Sequence, residues 1–228
     1  TGEEIPAGVN VGKIKIAYSL ELFEMGNIPQ LLSSVAGNIF SMKKIVNLRL
    51  EDLEFPAKYV RSFPGPALGI NGIRKITRIK GRPLIGSIIK PKIGLSAKEH
   101  AQVAYECFMG GVDLVKDDEN LTDQKFNRFE ARVRETLKLA KKAEKETKSV
   151  KICAFNTTAE TAEMIRRAKF IKKSGGNCAM VDIMTLGFGA VQSLRKANLG
   201  LIIHGHRAMH SALTRNPQHG ISMLVIAK

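Results

Sequence analysis

The chain has 228 residues, of which 44% are hydrophobic and 25% are charged, so the composition excludes a disordered chain and predicts one or two globular domains. Its 36 lysines and arginines against 21 acidic residues give a net charge of +15, which favours an anionic partner: nucleic acid, an acidic membrane surface or a phosphorylated metabolite. No apolar run approaches the roughly 20 residues of a membrane span, and three cysteines without close spacing predict buried thiols in a reduced, cytoplasmic setting.

The first part of the chain predicts a small α+β unit. The stretch VGKIKIAYSL alternates like a strand, GNIPQLLSSVAGNIF has helical spacing, and KKIVNLRLEDLEFP returns to a strand pattern. Two prolines and three glycines in SFPGPALGINGI then interrupt the pattern between residues 62 and 73. We therefore divide the chain into one domain over residues 1–62 and a second over residues 63–228.

Apolar runs alternate with charged amphipathic segments through the second domain. The pairs are PLIGSIIK with 96–109, GVDLV with 124–147, VKICAF with 159–174, CAMVDIM with 188–197, and LGLIIH with a last helical segment. Five strand–helix units in succession predict an α/β fold with a parallel sheet, either open or closed into a barrel.

Polar residues follow each of these apolar runs. They are Lys90-Pro91-Lys92, Lys116-Asp117-Asp118-Glu119, Asn156-Thr157-Thr158, Asp182 with Thr185, and His204-Gly205-His206-Arg207. For a single strand, such residues most simply mark where the strand reaches solvent. Five strands together favour a site, because α/β proteins build their sites at the carboxyl ends of the strands.

The stretch GGVDLVKDDEN carries the strongest chemical signal. Strand alternation places Lys116 and Asp118 on one face and Asp117 on the other, and Glu119 can turn inward as the strand ends. Two carboxylates that face one point suit Mg²⁺ better than zinc. The alternative for such a string is a solvated acidic turn that Lys116 neutralises.

An ammonium group cannot ligate a metal, and this difficulty has a chemical solution. We hypothesise that the neutral amine of Lys116 adds CO₂ and becomes a carbamate, which is a third oxygen ligand with negative charge. Neighbouring carboxylates resist the loss of the amine proton, so nearby Lys90 or Lys92, burial and bound metal have to favour it.

The longer motifs resemble one known family. GSIIKPKIGLSAKEHAQVAYECFMGGVDLVKDDEN resembles the first two barrel units of the large chain of ribulose-1,5-bisphosphate carboxylase/oxygenase (Rubisco), most closely its archaeal form III. LRLEDLEFP, FPGP, GNIF and HGHRAMHSALTRNPQHGIS fit the same family in the same order. The resemblance covers nearly the whole chain. It implies part of a ferredoxin-like α+β N-terminal domain followed by about five of the eight units of a (β/α)₈ TIM barrel.

The resemblance also implies roles for single residues. Lys116 matches the carbamylated lysine, and Asp118 and Glu119 match its partners in binding one Mg²⁺. Lys90 and His206 match positions that transfer protons. The positions matched to substrate binding are Asn38, Lys92 and Arg207. The position matched by Asn38 serves the active site of a partner subunit, so the family implies a homodimer or a larger homo-oligomer.

The implied reaction is the carboxylation of ribulose 1,5-bisphosphate. A base removes a proton next to the carbonyl, CO₂ attacks the enediolate, and hydration and cleavage give two 3-phosphoglycerates; O₂ can attack in place of CO₂. Such enolisation needs positive charge near the developing oxyanion, which Mg²⁺ and Lys90 can supply. The planar guanidinium of Arg207 suits a phosphate.

Two other enzyme classes stay open. His204 and His206, with His210 a turn onward, resemble the zinc site of amidohydrolase barrels, although those barrels place the histidine pair ahead of the lysine. A Rubisco-like protein would keep the metal ligands and enolise a methionine-salvage sugar phosphate without fixing CO₂. The combination of Lys90, Asn38 and Arg207 favours the carboxylase.

A nucleic-acid-binding module is an alternative of a different class. Aromatic residues are only 6% of the chain, and the cations are interleaved with glutamates along predicted helices. Binding to single strands usually relies on aromatic stacking beside a basic groove, so we expect no nucleic-acid partner. We expect no membrane partner either.

The length predicts an incomplete barrel. A complete barrel takes roughly 250 residues, and the strand–helix pattern here stops after five units, so we expect three more units beyond Lys228. The start without methionine and the uncapped end ISMLVIAK also look cut. A five-stranded parallel sheet has open edges, so we expect this chain alone to aggregate and not to turn over.

Overall fold

The computed structural model describes residues 12–228. Its strands are β1 Arg49–Leu50, β2 Gly86–Ile88, β3 Leu114–Lys116, β4 Ile152–Asn156, β5 Cys178–Asp182, β6 Ile202–His206 and β7 Gly220–Ile221. Its α-helices are α1 Ile28–Ala36, α2 Ala57–Val60, α3 Gly69–Thr77, α4 Ala97–Met109, α5 Phe129–Thr147, α6 Thr161–Lys173, α7 Ile183–Leu186, α8 Phe188–Lys196, α9 Ser211–Thr214 and α10 Met223–Ala227. Short 3₁₀ helices occupy Leu20–Leu22 and Asn38–Ser41.

Strands β2 to β6 form one parallel sheet in the order of the chain. The register places Lys116 of β3 between Ile88 of β2 and Ala154 of β4, and Asp182 of β5 opposite His206 of β6. All five carboxyl ends therefore meet at one edge, as parallel strands require. The predicted α/β sheet of five strand–helix units is confirmed, and it has the topology of a partial (β/α)₈ barrel.

Both faces of the sheet are buried at the central strands β4 and β5, which is typical of parallel sheets, whereas β2 and β6 are partly exposed. On the outer face, Val115, Cys153, Phe155 and Val181 pack into one core with apolar residues of α4, α5 and α6. On the inner face, the buried cluster consists of Ile152, Ala154, Cys178, Met180 and Ile202. Ile73 and Ile76 of α3 pack against this inner cluster, so α3 covers the inner side of the sheet.

The strand predicted from VGKIKIAYSL is wrong over the residues that the structure describes, because residues 12–19 have no regular secondary structure. The side chains of Ile14, Ile16 and Tyr18 are 87%, 63% and 47% exposed. A strand needs a paired neighbour, and an alternating sequence without one is not stable in water. The strand predicted from KKIVNLRLEDLEFP shrinks to β1, whose partner is the distant β7.

The helix predicted over 124–147 begins five residues later, at Phe129. Asp123 accepts the backbone N–H of Phe129 at 2.7 Å, and the guanidinium of Arg132 donates to the carbonyls of Thr122 at 2.7 Å and Asn127 at 2.9 Å. These bonds hold residues 122–128 as an irregular loop. The helices predicted over 96–109, 159–174 and 188–197 agree with α4, α6 and α8 to within two residues, and the last one is reduced to α9. The helix predicted from GNIPQLLSSVAGNIF is shorter and corresponds to α1.

No helix within residues 12–228 combines the length and the apolar character that crossing a membrane requires.

Candidate active site

Lys116, the last residue of β3, points into the inner side of the sheet and is 8% exposed. Its ammonium group donates to the backbone carbonyl of Asp117 at 3.0 Å and lies 3.9 Å from the sulfur of Met180. The nearest carboxylate is that of Glu119, with Nζ and Oε2 separated by 3.9 Å. The amine is therefore held inside the protein beside one acid.

Asp118 is fully buried and forms an ion pair with Lys90, which follows β2. Its Oδ1 accepts two hydrogen bonds from Asn120, one from the backbone and one from the side chain, both at 3.0 Å. Burial acts to raise the pKa of Asp118, but the bonds from Lys90 and Asn120 outweigh it and lower the pKa to about 2. Asp118 is therefore ionised at any physiological pH.

Asp117 points to the other side of the sheet, as strand alternation predicts. Its carboxylate lies 3.1 Å from Nε of Arg132 on α5 and 3.2 Å from Nε2 of His100 on α4. It also accepts the backbone N–H of Asn156 at 2.9 Å. Burial alone would raise the pKa of Asp117, but Arg132 and His100 hold that pKa below its usual value. This acid is anchored under the helices and does not face the cluster around Lys116.

His206, at the end of β6, lies between two acids. Its Nε2 is 3.8 Å from Oε2 of Glu119, and its Nδ1 is 3.3 Å from Oδ1 of Asp182. The same Nδ1 lies 3.2 Å from the backbone N–H of Ala208. Burial raises the pKa of Asp182, and its Oδ1 has no hydrogen-bond partner among the described residues. Nδ1 of His206 can therefore accept a hydrogen bond from the Ala208 N–H or donate one to Asp182.

The structure brings together most of the predicted residues from three of the five strand ends. These are Lys90, Lys116, Asp118, Glu119 and His206. Sequence reasoning noted the polar residues Asp182 and Asn156 at strand ends but gave them no role. Asp182 contacts His206, and Asn156 contacts the residues that follow Lys116. Their position at the carboxyl ends of predicted strands is the sequence feature that could have identified them as site residues.

Three predicted substrate-binding residues lie outside this set of contacts. Lys92, Arg207 and Asn38 are exposed, and within residues 12–228 their side chains form no hydrogen bond or ion pair. His210 makes local contacts instead, with Nδ1 2.9 Å from the hydroxyl of Thr214. Burial and the nearby Lys116 lower the pKa of His204.

The donor set fits a hard divalent cation only if Lys116 becomes a ligand. Among the described residues, no group of three or more His, Cys, Asp and Glu side chains is arranged to hold a metal ion. Asp118 and Glu119 supply two carboxylates, and a carbamate on Lys116 would add the third oxygen ligand. Oxygen-only ligands match the preference of Mg²⁺. The same set does not fit the histidine-rich zinc alternative.

A parallel strand–helix sheet with lysines and carboxylates at one carboxyl edge defines the class of (β/α)-barrel proteins that build their sites there. Two family models match this chain: the catalytic domain of the ribulose bisphosphate carboxylase large chain over residues 69–228, and the N-terminal domain of the same chain over residues 4–59. The protein belongs to the family of ribulose bisphosphate carboxylase large chains.

Relatives from archaea cover nearly all of this chain. A ribulose bisphosphate carboxylase of Methanosarcina barkeri is 58% identical over 218 residues, which are 94% of this chain and 51% of that protein. One of Methanocaldococcus jannaschii is 53% identical over 227 residues, which are 100% of this chain and 53% of that protein. The chain thus spans about half the length of the relatives it matches.

Solved structures agree with this assignment. The octameric Rubisco of Pyrococcus horikoshii superimposes with a TM-score of 0.90 at 48% identity over 92% of this chain and 50% of that chain. The dimeric archaeal Rubisco of Hyperthermus butylicus superimposes with a TM-score of 0.90 at 49% identity, with the same coverage of each chain. A Rubisco-like protein of Burkholderia fungorum superimposes with a TM-score of 0.86 at 36% identity over 89% of this chain and 50% of that chain.

Proposed function

We propose that this chain carries part of the active site of an archaeal-type ribulose-1,5-bisphosphate carboxylase. The observation that carries the proposal is the convergence of Lys90, Asp118, Lys116, Glu119 and His206 at one edge of the sheet. Sequence identity supports the carboxylase over a Rubisco-like enolase. The two archaeal Rubisco structures have 48% and 49% sequence identity with this chain, whereas the Rubisco-like protein has 36%.

Asp118, Glu119 and a carbamate formed from CO₂ on Lys116 are the proposed Mg²⁺ ligands. When bound, Mg²⁺ supplies positive charge that stabilises negative oxygen atoms of the substrate. The position of Lys116 supports the carbamate, because its buried side chain ends beside Glu119 and a carboxylated amine there would lie next to the other proposed oxygen ligands. The close approach of Lys90 to Asp118 keeps that carboxylate ionised and ready to bind a cation.

Lys90 and His206 are the proposed proton-transfer residues. The side chain of Lys90 is 57% exposed and ends beside Asp118, so its ammonium can reach both substrate and the acid cluster. His206 can present Nε2 toward the same cluster while Asp182 or Ala208 pairs with Nδ1. A neutral imidazole both accepts and donates a proton, as acid–base catalysis on a sugar phosphate requires.

The exposed cations Arg207 and Lys92 are the proposed contacts for the phosphate-bearing substrate. We assign Asn38 to the site of a partner subunit, in a homodimer or a larger homo-oligomer with shared sites. The dimeric and octameric archaeal relatives support this assembly. O₂ is the proposed competitor of CO₂, and we propose a domain boundary near residue 62, between the segments that match the two family models.

The test uses a chimera in which this chain replaces the matching half of the Methanosarcina barkeri relative. The chimera is incubated with ribulose 1,5-bisphosphate, Mg²⁺ and labelled CO₂, and labelled 3-phosphoglycerate is measured. We expect labelled product from the chimera and none from the Lys116→Met variant, whose side chain cannot form a carbamate.

Two outcomes would contradict the proposal. Exchange of the substrate proton without labelled product would favour a Rubisco-like enolase. Retention of activity by Lys116→Met would exclude the carbamate. The 228-residue chain is assayed beside the chimera, and we expect it to be inactive because about three strand–helix units of a complete barrel are missing from its sheet.

A further inference from the structure

Asn156, the last residue of β4, contacts each of the three residues that follow Lys116 on the neighbouring strand. Its backbone N–H donates to the carboxylate of Asp117 at 2.9 Å. Its side-chain amide nitrogen donates to the backbone carbonyls of Glu119 at 2.9 Å and Asp118 at 3.3 Å. Asn156 is fully buried, so no water competes for these bonds.

The hydrogen bonds of this amide group leave little freedom in its orientation. Oδ1 of Asn156 accepts the backbone N–H of Thr158 at 3.0 Å, while Nδ2 donates to two carbonyl oxygens. An amide offers an acceptor on one side and two donors on the other, which is what this position demands. A carboxylate would place negative oxygen against the carbonyls of Asp118 and Glu119, and an apolar side chain would leave them without a donor.

The segment 117–119 is thus held from two sides. On the outer side, the carboxylate of Asp117 is bound by Arg132 and His100. On the inner side, Asn156 fixes the peptide carbonyls of Asp118 and Glu119. Fixing the peptide planes constrains the directions in which the side chains of Asp118 and Glu119 leave the backbone, so these bonds limit where the two carboxylates can lie.

We propose that Asn156 is a positioning residue that presents Asp118 and Glu119 to Mg²⁺. The inference rests on the proposed function, because it takes these two acids as the metal ligands. Groups that orient metal ligands typically contribute 10-fold to 100-fold in metal affinity. Asn156 contacts backbone atoms of the ligand residues and not the substrate, so its effect is on the geometry of the site.

Asn177 offers a matched control at the opposite end of the sheet. Its side-chain amide donates to the carbonyl of Lys151 at 2.7 Å, and its Oδ1 accepts the backbone N–H of Cys153 at 3.3 Å. Asn177 therefore bridges the amino ends of neighbouring strands much as Asn156 bridges the carboxyl ends. The change Asn177→Ala removes the same kind of bonds without touching the residues that follow Lys116.

The experiment measures Mg²⁺ binding to the chimera by calorimetry in bicarbonate, for the parent and for Asn156→Ala, Asn156→Ser and Asn177→Ala. We expect Mg²⁺ affinity to fall about 10-fold to 100-fold in both Asn156 variants and to change by less than about twofold in Asn177→Ala. Hydrogen exchange of a peptide that spans residues 115–121 is recorded without metal. We expect faster exchange there only in the Asn156 variants.

The outcomes separate this inference from the proposed function. Unchanged Mg²⁺ affinity in both Asn156 variants, or an equal loss in Asn177→Ala, overturns the positioning role while the parent still carboxylates. A parent that binds Mg²⁺ without carboxylating overturns the proposed activity, and the comparison of variants still decides the role of Asn156. A parent that does not bind Mg²⁺ overturns both. Asn156→Ser serves if Asn156→Ala fails to fold.

Discussion

The guanidinium of Arg132 on α5 donates to the carboxylate of Asp117 at 3.1 Å, and the two side chains are only 0% and 2% exposed. Arg132 also donates to the carbonyls of Thr122 and Asn127, so it joins the end of β3 to the loop before α5. The buried pair lies directly behind the segment that carries Asp118 and Glu119. The ion pair thus supports both the strand end and the segment that carries the candidate site residues.

Replacing Arg132 should destabilise the protein strongly. The Arg132→Met variant leaves Asp117 buried without its principal cation, and removing one partner of a buried pair typically costs about 3–5 kcal/mol in the free energy of unfolding. Urea unfolding of the chimera measures this loss. The control is Arg134→Met, whose side chain is 63% exposed and pairs with Glu130 at 3.1 Å. Exposed pairs of this kind contribute under about 1 kcal/mol, and equal losses in both variants would contradict the role of Arg132.

The three cysteines should differ in reactivity. Burial raises the pKa of Cys153 and raises that of Cys178 to about 12, whereas Cys107 is only half-buried. A buried thiol with a raised pKa reacts slowly because the thiolate is the nucleophile. We expect iodoacetamide to modify Cys107 first in the native chimera and all three cysteines after denaturation, as read by peptide mass mapping. Native labelling of Cys178 at the rate of Cys107 would contradict this packing.

Local patterns predicted the parts of the fold whose information lies within a few residues. Alternation along β3 placed Asp117 and Asp118 on opposite faces, and the periodicity of α4 and α6 predicted those helices to within two residues. Contacts between distant residues carried no such signal. Arg132 looks in the sequence like one more surface cation of a charged helix, yet it is fully buried because Asp117 lies beneath it.

Site residues that follow a single strand could be predicted from the sequence. Contacts between residues of different strands were harder to predict. Lys116, Asp118 and Glu119 follow from one stretch of sequence, but the role of Asn156 depends on the register between β3 and β4. The pairing of β1 with β7 joins residues that are far apart in the chain, which no local pattern reveals. The alternating pattern around Ile14 and Ile16 predicted a strand, but these residues form none because no partner strand among the described residues pairs with them.

Binding of Mg²⁺ should depend on bicarbonate through Lys116. A ligand that binds only the native state raises the melting temperature, so we expect Mg²⁺ to raise that of the chimera more in bicarbonate than in CO₂-free buffer. Lys116→Met should abolish the difference because no carbamate forms. Lys92→Met is the matched control, since Lys92 is exposed and is assigned to the substrate rather than to the metal. The hypothesis fails if Lys116→Met keeps the bicarbonate-dependent rise.

Asp182 should control the orientation of His206. Its Oδ1 lies 3.3 Å from Nδ1 of the ring, and the backbone N–H of Ala208 competes for the same nitrogen from 3.2 Å. If Nδ1 donates to the carboxylate, the ring carries its proton there and the lone pair of Nε2 is directed toward Glu119 and the cluster, whereas Nδ1 that accepts from Ala208 leaves the proton on Nε2. In Asp182→Asn the amide can present its N–H to Nδ1, which favours the opposite tautomer.

We therefore expect Asp182→Asn to lower kcat of the chimera by about 10-fold to 100-fold, a range typical for residues that orient a functional histidine, with little change in KM. Thr185→Ala is the control, because the Thr185 hydroxyl donates to the backbone carbonyl of Asp182 at 3.2 Å and leaves the carboxylate untouched. Steady-state kinetics with ribulose 1,5-bisphosphate provide both constants. An unchanged kcat in Asp182→Asn, or an equal fall in Thr185→Ala, would show that the carboxylate does not direct the ring.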